Sequence, residues 1–266
     1  TVHRSLKFKG MSHFFFFYQI VMPSSEDFSE LLPVIQAIRP EDVVTPTVPV
    51  DVYVQEAENL FHWCADDLEA LVSTGLDWDL VTSLPVRAGA CREAQSIWIR
   101  ERNMRQEAEQ LWKQEAPAAF DMRDQLVHTY RFAFRKDDGL LARVDEIAQG
   151  DTNSDMVQDL NDLSVLGKAH LDLLAVVQFS PTMVDDAAAI ADRMADLLGA
   201  TNGERKEVSE AMIIRDKAYT YLKQAVDEIR ESGKFVFWRN PDRLKGYVSD
   251  FWQKRNAAKT KETPVA

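Results

Sequence analysis

Two arginines are the first candidates for chemistry, because each lies on or beside an apolar helical stripe. Arg123 falls within residues 119–130 and Arg215 within residues 211–222. A buried guanidinium is costly unless it has an acidic partner or reaches water. One hypothesis is that Arg123 and Arg215 bind an anionic ligand between helices. The other, which we favour, is that they form interhelical ion pairs that fix helix register.

Helix geometry indicates which acidic residues can pair with Arg123 and Arg215. The sequence neighbours Asp124 and Asp216 point about 100° around the helix from Arg123 and Arg215, so we expect them to be poor partners for these arginines. Carboxylates on facing helices are better placed. They are Glu58, Asp67, Asp159 and Asp162.

Metal sites and catalytic motifs are not found in the sequence. Di-iron bundles use a Glu-x-x-His step on two helices, whereas Glu58 and His62, like Asp124 and His128, are four residues apart. We expect both histidines to be half-buried structural residues. There is no HExxH, Gly-rich phosphate loop, GxSxG or zinc spacing. We therefore predict no cofactor, and the sequence provides no grounds for asserting an enzyme.

Residues 230–252 interleave aromatic and basic side chains. Such a segment could stack on single-stranded nucleic acid, or dock onto a partner or a second copy of the chain. We favour a third interpretation, in which the rings cover one end of a bundle and the cations keep that end soluble. The aromatic residues are Phe235, Phe237, Trp238, Tyr247, Phe251 and Trp252.

A long helix over residues 204–233 is the element around which the others must be arranged. Capping-type residues at 201–204 predict its start, and Gly233 predicts its end. A helix of this length is stable only when neighbours cover its apolar stripe. The stripe consists of Val208, Ala211, Met212, Ala218, Tyr219, Leu222, Ala225, Val226 and Ile229.

Helical spacing continues through most of the chain, whereas hairpin signals are missing. Stripes are predicted over residues 51–75, 85–135, 140–147, 156–178, 180–199 and 240–252, with Pro117 either kinking the second or starting a new helix. The 266 residues include only 10 Gly and 10 Pro, which disfavours an all-β fold. We predict an all-α fold, an antiparallel bundle of long helices.

An internal repeat is a further hypothesis. Residues 119–130 can be aligned with residues 211–222, which places Arg123 on Arg215, and residues 67–72 can be aligned with residues 172–177. Two pseudo-repeated helical halves about a twofold axis would account for both alignments.

The ends of the chain differ from its centre, which predicts three regions. Residues 1–50 are an N-terminal extension that ends in an extended Pro/Val arm, residues 51–256 the helical bundle domain, and residues 257–266 a disordered tail. Residues 1–22 have a basic lead followed by an apolar run. They are open to three interpretations: a packed extension, a targeting segment, or sequence foreign to the native protein.

Charge and cysteine content bound the class of protein. The 43 acidic and 31 basic residues give a net charge of −12, which argues against nucleic-acid binding by the body of the protein. The two cysteines, Cys64 and Cys91, are predicted to be buried free thiols. A cytoplasmic location fits, with export as the alternative if residues 1–22 are a targeting segment. The nine-residue apolar run is too short for a transmembrane span.

The segment from Arg215 to Arg230 begins Arg-Asp-x-Ala-Tyr-Thr-Tyr-Leu and is followed by Gly233 and Phe-Val-Phe-Trp at residues 235–238. It resembles the C-terminal part of some uncharacterised all-helical bacterial proteins, over about a quarter of the chain. The resemblance implies a helical fold and transfers no activity.

Three functions remain as hypotheses. The first is a non-enzymatic structural or interaction protein that associates with itself or with partner helices, because residues 1–50 and the aromatic C-terminal segment need burial. The alternative is a bundle that binds a small ligand or metal between its helices. A membrane-active helical protein is the third, and it is weakened by the shortness of the apolar runs.

Overall fold

The computed structural model describes residues 23–202 and 209–262, and within them every regular element is a helix. The prediction of an all-α, bundle-like fold is confirmed. The α-helices are α1 Ser24–Gln36, α2 Val50–Cys64, α3 Leu68–Val72, α4 Trp78–Thr82, α5 Leu84–Ala133, α6 Asp138–Ile147, α7 Asn153–Ala169, α8 Leu171–Ala175, α9 Thr182–Asn202, α10 Glu210–Val236, α11 Pro241–Leu244 and α12 Asp250–Glu262. Short 3-10 turns are Pro40–Asp42, Ala65–Asp67 and Lys245–Tyr247.

The chain forms two compact units. Unit 1 is built from the described parts of Thr1–Ile97 and Ala211–Ala266, and unit 2 from those of Trp98–Glu210. Unit 1 is therefore discontinuous in sequence, whereas unit 2 is one continuous stretch.

The core of unit 1 is formed by the apolar stripes of α2, the first part of α5, and α10. Residues three and four apart share a helix face, so each stripe presents one row of side chains to the core. Full burial of a Leu or Ile side chain contributes about 1.5–3 kcal/mol. The buried rows are Ala57, Leu60 and Cys64 on α2; Leu84, Ala88 and Cys91 on α5; and Leu222, Val226 and Ile229 on α10.

Residues 37–49 connect α1 to α2, and we call this segment the arm. The sequence predicts an extended arm over residues 43–50, whereas in the structure a 3-10 turn spans Pro40–Asp42 and Val50 begins α2. The arm packs within unit 1 of its own chain. The Val44 amide donates to Thr220 Oγ1 at 2.9 Å, and Val48 is buried in the core. Beside the start of the arm, Lys217 Nζ donates to the Gln36 carbonyl at 2.7 Å. The described part of the N-terminal region therefore covers its own core.

Unit 2 packs α7 and α9 together with the second part of α5, and α6 and α8 complete its core. Ser164 on α7 donates to the Val184 carbonyl on α9 at 2.6 Å, and the two helices meet closely where Gly167 lies against Val184 and Tyr130. The core includes Leu126 and Tyr130 on α5, Val144 on α6, Leu160 and Leu163 on α7, Leu174 on α8, and Ala187 and Met194 on α9.

Helix α10 corresponds to the long helix predicted over residues 204–233, but it begins and ends at other residues. It spans Glu210–Val236, and residues 203–208 lie outside the described residues. Thr201 and Asn202, predicted as capping residues, close α9 instead. Gly233 does not end the helix. It is an interior residue of α10, and the Tyr247 ring packs so close that a Cβ there would lie 2.0 Å from it.

Helix α5 runs from Leu84 to Ala133 as a single element with Pro117 inside it. Pro117 therefore starts no new helix. Helix α12 extends to Glu262. Residues 257–262, which were predicted to begin a disordered tail, are therefore helical. The apolar run of residues 1–22 lies outside the described residues. None of the described helices is long and apolar enough to cross a membrane.

Candidate functional site

A cavity of about 390 Å³ opens on unit 1 between α2, α10, the start of α12 and the arm. We call it the Tyr53 pocket. Three aromatic rings and several charged groups line it. The lining includes Tyr53, Tyr219, Lys223, Arg230, Lys234 and Trp252, together with the acidic residues Asp227 and Glu231.

Helical spacing brings these side chains to one place. Tyr219, Lys223, Arg230 and Lys234 recur on α10 at steps of four, seven and four, which keeps them close to one face of the helix. On α2, Tyr53 lies one turn before the buried Glu56.

Glu56 and Arg230 form a buried ion pair that holds the pocket wall in place. Arg230 Nη2 donates to Glu56 Oε2 at 2.8 Å. The other carboxylate oxygen, Oε1, accepts from the Ser249 hydroxyl at 3.0 Å and from the Phe251 amide at 2.9 Å. Glu56 thereby fixes the start of α12 against α2 and α10, and its charge is fully compensated.

Two hydrogen-bond donors at this pocket lack a partner among the described residues. They are the Tyr53 hydroxyl and Arg230 Nε, on residues that are 4% and 8% exposed. Burial raises the pKa of Tyr53 above its ordinary value, with a further rise from Asp227, so its hydroxyl stays protonated and acts as a donor. Buried polar groups are nearly always hydrogen-bonded, so these two donors require an explanation.

Other side chains that line the pocket have interaction partners within the protein. The Tyr219 ring lies 4.8 Å from the Tyr53 ring, and hydrogen bonds to Thr47 partly offset the rise in its pKa that burial causes. Lys223 forms an (i, i+4) ion pair with Asp227. Trp252 is partly exposed at the rim, with the Arg255 guanidinium 5.3 Å from its ring centre.

A second polar cluster in unit 1 is a satisfied structural network. Asp67 accepts from the Tyr247 hydroxyl at 2.6 Å and from both Nε and Nη2 of Arg243. The same guanidinium donates to the Trp63 carbonyl at 2.9 Å and lies 4.4 Å from the Trp63 ring centre. This cluster ties the end of α2 to α11, and none of its buried side-chain nitrogen or oxygen atoms, as far as the chain is described, lacks a hydrogen-bond partner.

Arg123, one of the two predicted ligand-binding residues, lies in unit 2. Its Nε donates to Asp159 Oδ2 on α7 at 2.8 Å, and Nη2 reaches the Ala148 and Gly150 carbonyls at 3.2 and 3.3 Å. Burial raises the pKa of Asp159, and Arg123 opposes that rise. Asp159 was among the predicted partners, so an interhelical ion pair is present at Arg123.

Arg215, the other predicted residue, lies in unit 1 and pairs with its sequence neighbour. Its Nε donates to Asp216 Oδ1 at 2.8 Å, and Nη2 lies 2.6 Å from the same oxygen. The expectation that Asp124 and Asp216 are poor partners was wrong, because the long arginine side chain can turn back to the next residue. Arg123 does so as well, since its Nη1 donates to Asp124 Oδ1 at 3.1 Å. The binding of an anionic ligand by Arg123 and Arg215 stays a prediction.

The histidines and cysteines show no catalytic arrangement among the described residues. His62 and His128 are exposed rather than half-buried as predicted, and the described residues contain no group of three or more His, Cys, Asp or Glu able to hold a metal ion. Cys64 and Cys91 are buried free thiols, as predicted. Burial raises the pKa of each thiol to about 12.

The Tyr53 pocket was not predicted from the sequence, although one signal for it was present there. Arg230 follows Val226 by four residues and precedes Gly233 by three, so it continues the apolar stripe of α10. Glu56 is adjacent to Ala57 in the stripe of α2. A charged residue in phase with a buried stripe on each of two helices predicts a buried ion pair, but the pocket beside it depends on α12 and the arm.

Comparison with known proteins adds no assignment: no family model, no curated protein and no solved structure matches the chain.

Proposed function

We propose that the protein binds a small organic carboxylate in the Tyr53 pocket. The observation that supports this is the pair of buried donors, the Tyr53 hydroxyl and Arg230 Nε, which lack partners among the described residues and belong to residues that line a cavity. Desolvated donors without partners are costly, and a ligand that supplies acceptor oxygens would satisfy both.

The chemistry of the lining favours an aromatic or apolar body bearing the carboxylate. The two oxygens of a carboxylate can accept from both donors, and bonds to an ionised acceptor are the stronger kind. The partly exposed Trp252 offers a ring face for the body of the ligand. Lys234 adds positive charge, whereas the charge of Lys223 is paired with Asp227, and Glu231 also lines the cavity. The cavity volume of about 390 Å³ lies in the range of small-molecule sites.

Benzoate titration of the whole protein tests this proposal. We expect saturable NMR shifts at the pocket residues with benzoate and much weaker binding of benzyl alcohol, which has the same ring without the carboxylate. Tyr53→Phe removes one hydrogen bond and is expected to weaken benzoate binding about tenfold. Tyr130→Phe, a matched change in unit 2, should leave binding unaltered. Equal affinity in the wild type and Tyr53→Phe would contradict the proposal.

Self-association is a second candidate function, favoured by exposed aromatic rings at the end of α10. Phe235 and Trp238 are 74% and 64% exposed, whereas Phe237 stacks on the buried Tyr247 with ring centres 5.4 Å apart. Exposed aromatic residues are typical of the cores of protein interfaces.

Light scattering over a concentration series tests self-association. The double substitution Phe235→Ser and Trp238→Ser should lower the average mass if these rings hold copies together. Val176→Ser, at another exposed apolar position, serves as the control. A strictly monomeric wild-type protein at high concentration would exclude this candidate.

A further inference from the structure

Several helix boundaries in the second half of the chain lie 103 residues after boundaries in the first half. The agreement holds for helix starts, helix ends and one whole helix. Helices α2 and α7 start at Val50 and Asn153; α3 and α8 span Leu68–Val72 and Leu171–Ala175; α5 and α10 end at Ala133 and Val236; and α6 and α11 start at Asp138 and Pro241.

Unusual backbone conformations repeat at the same distance. Gly75 has φ +90°, and Gln178, 103 positions later, is a non-glycine residue with φ +56°. Their amides donate to the equivalent carbonyls of Val72 and Ala175, at 2.9 and 3.1 Å. A non-glycine residue with positive φ is uncommon, so this coincidence is not a general property of helical connections.

The caps that follow the long helices also correspond. Asp137 and Asn240 are the residues before α6 and α11, with φ, ψ of −125°, 99° and −118°, 89°. Each side chain accepts a hydrogen bond from a backbone amide of the helix that follows it, that of Leu140 for Asp137 and that of Arg243 for Asn240.

The buried residues follow the same register. Many positions in the core of unit 1, although not all of them, have a buried counterpart in the core of unit 2. Such pairs are Leu60 and Leu163, Leu71 and Leu174, Leu76 and Phe179, Val81 and Val184, Leu84 and Ala187, Ala88 and Ala191, Cys91 and Met194, Ala119 and Leu222, Leu126 and Ile229, and Val144 and Tyr247.

Polar contacts in the two cores are related as well. Glu56 and Asp159 are equivalent by this register, both are buried, and each binds an arginine. The partner arginines, Arg230 and Arg123, come from the other half of the chain in each case. They are not equivalent to each other: Arg230 corresponds to Val127, one helical turn beyond Arg123.

We propose that residues 50–147 and 153–250 are two copies of one helical module, each completed by the other. Unit 1 contains α2 to the first part of α5 from the first copy and α10 and α11 from the second. Unit 2 contains the second part of α5 and α6 from the first copy and α7 to α9 from the second. The apolar surface of one module therefore fits a second copy of the same module.

The register differs from the one that the sequence alignments predict. Those alignments place Arg123 on Arg215, 92 residues apart, and residues 67–72 on residues 172–177, 105 residues apart. In the 103-residue register Arg215 corresponds to Trp112, which is why no common role of Arg123 and Arg215 follows from the repeat.

Cleavage between the two copies tests the exchange. A protease site is inserted between Gly150 and Asp151, in the exposed connection from α6 to α7, and the otherwise complete chain is cut after purification. Both cores contain residues from each copy, so we expect the two fragments to elute together with the light-scattering mass and helical circular dichroism of the uncut sample. They should separate only in denaturant. Separation of two folded fragments in native buffer would overturn the proposal.

A graft within the full-length chain tests the register independently. Residues 68–81 are replaced either by residues 171–184, in the 103-residue register, or by residues 173–186, in the 105-residue register. The first graft places Leu174 and Val184 at the buried positions 71 and 81, and we expect it to fold with a cooperative thermal transition. The second places Asp186 at the fully buried position 81, and we expect loss of the transition. Equal behaviour of the two grafts, folded or unfolded, would contradict the register.

Discussion

Two buried tyrosines, Tyr53 and Tyr130, differ in whether the hydroxyl has a partner. The Tyr130 hydroxyl donates to the Leu163 carbonyl at 3.1 Å, whereas that of Tyr53 has no partner among the described residues. A buried hydroxyl without a partner costs free energy, and its removal can stabilise a fold.

We therefore expect Tyr53→Phe to raise the free energy of unfolding of the unliganded protein by about 1 kcal/mol, and Tyr130→Phe to lower it by about 1 kcal/mol. Urea denaturation of both variants measures this. Tyr53→Phe should gain stability while it loses benzoate affinity, which is the expected trade-off at a binding site. A loss of stability in Tyr53→Phe comparable to that in Tyr130→Phe would show that the hydroxyl has a structural partner.

The cysteines permit a second prediction, on reactivity. The thiolate is the reactive form, and a pKa of about 12 for Cys64 and Cys91 leaves about one thiol in ten thousand ionised at pH 8. We expect a disulfide-exchange reagent to label neither cysteine in the native protein at pH 8, and both once it is unfolded. Because burial raises both pKa values, labelling should accelerate as pH rises towards 12. Rapid labelling at pH 8 without unfolding would contradict the burial of these thiols.

At the scale of helices, two interior glycines have opposite environments. A Cβ at Gly233 in α10 would lie 2.0 Å from the Tyr247 ring, whereas a Cβ at Gly199 in α9 meets nothing within 4 Å. Alanine is favoured over glycine inside a helix by up to about 1 kcal/mol. This gain should appear at Gly199, and the clash should outweigh it at Gly233.

We expect Gly199→Ala to raise the free energy of unfolding by about 0.5–1 kcal/mol, and Gly233→Ala to lower it by about 1–3 kcal/mol through displacement of Tyr247. Thermal denaturation followed by circular dichroism compares the two. Similar stabilisation by both substitutions would mean that Tyr247 does not pack against α10.

The helices could be predicted from the sequence because side-chain periodicity follows from helix geometry alone. The stripe through Leu222 and Ile229 is buried as its spacing requires. The partners of long polar side chains could not be predicted in the same way. Arg215 turns back to Asp216, and Arg230 pairs with Glu56, 174 residues away in the chain. Several rotatable bonds separate a guanidinium from its Cα, so helix phase constrains its position weakly.

At the scale of the whole molecule, the pocket could not be predicted because segments distant in sequence build it. Thr47 comes from the arm, Tyr53 from α2, Arg230 from α10 and Trp252 from α12. Periodicity identifies which face of each helix is buried, but not which helices become neighbours. The existence of the proposed repeat could be predicted from the sequence, but its 103-residue register could not. Equivalent buried positions such as Leu76 and Phe179 have different residue types, so a sequence alignment does not pair them.

The discontinuity of unit 1 has a consequence for synthesis on the ribosome. Unit 2 is a single stretch, Trp98–Glu210, so all its helices are available while the last third of unit 1 is still untranslated. The stripes of α2 and the first part of α5 must wait for α10, and until then their apolar faces are open to chaperones or to other nascent chains. Limited proteolysis of stalled nascent chains should accordingly show protection of unit 2 before unit 1, although the first part of unit 1 emerges before unit 2.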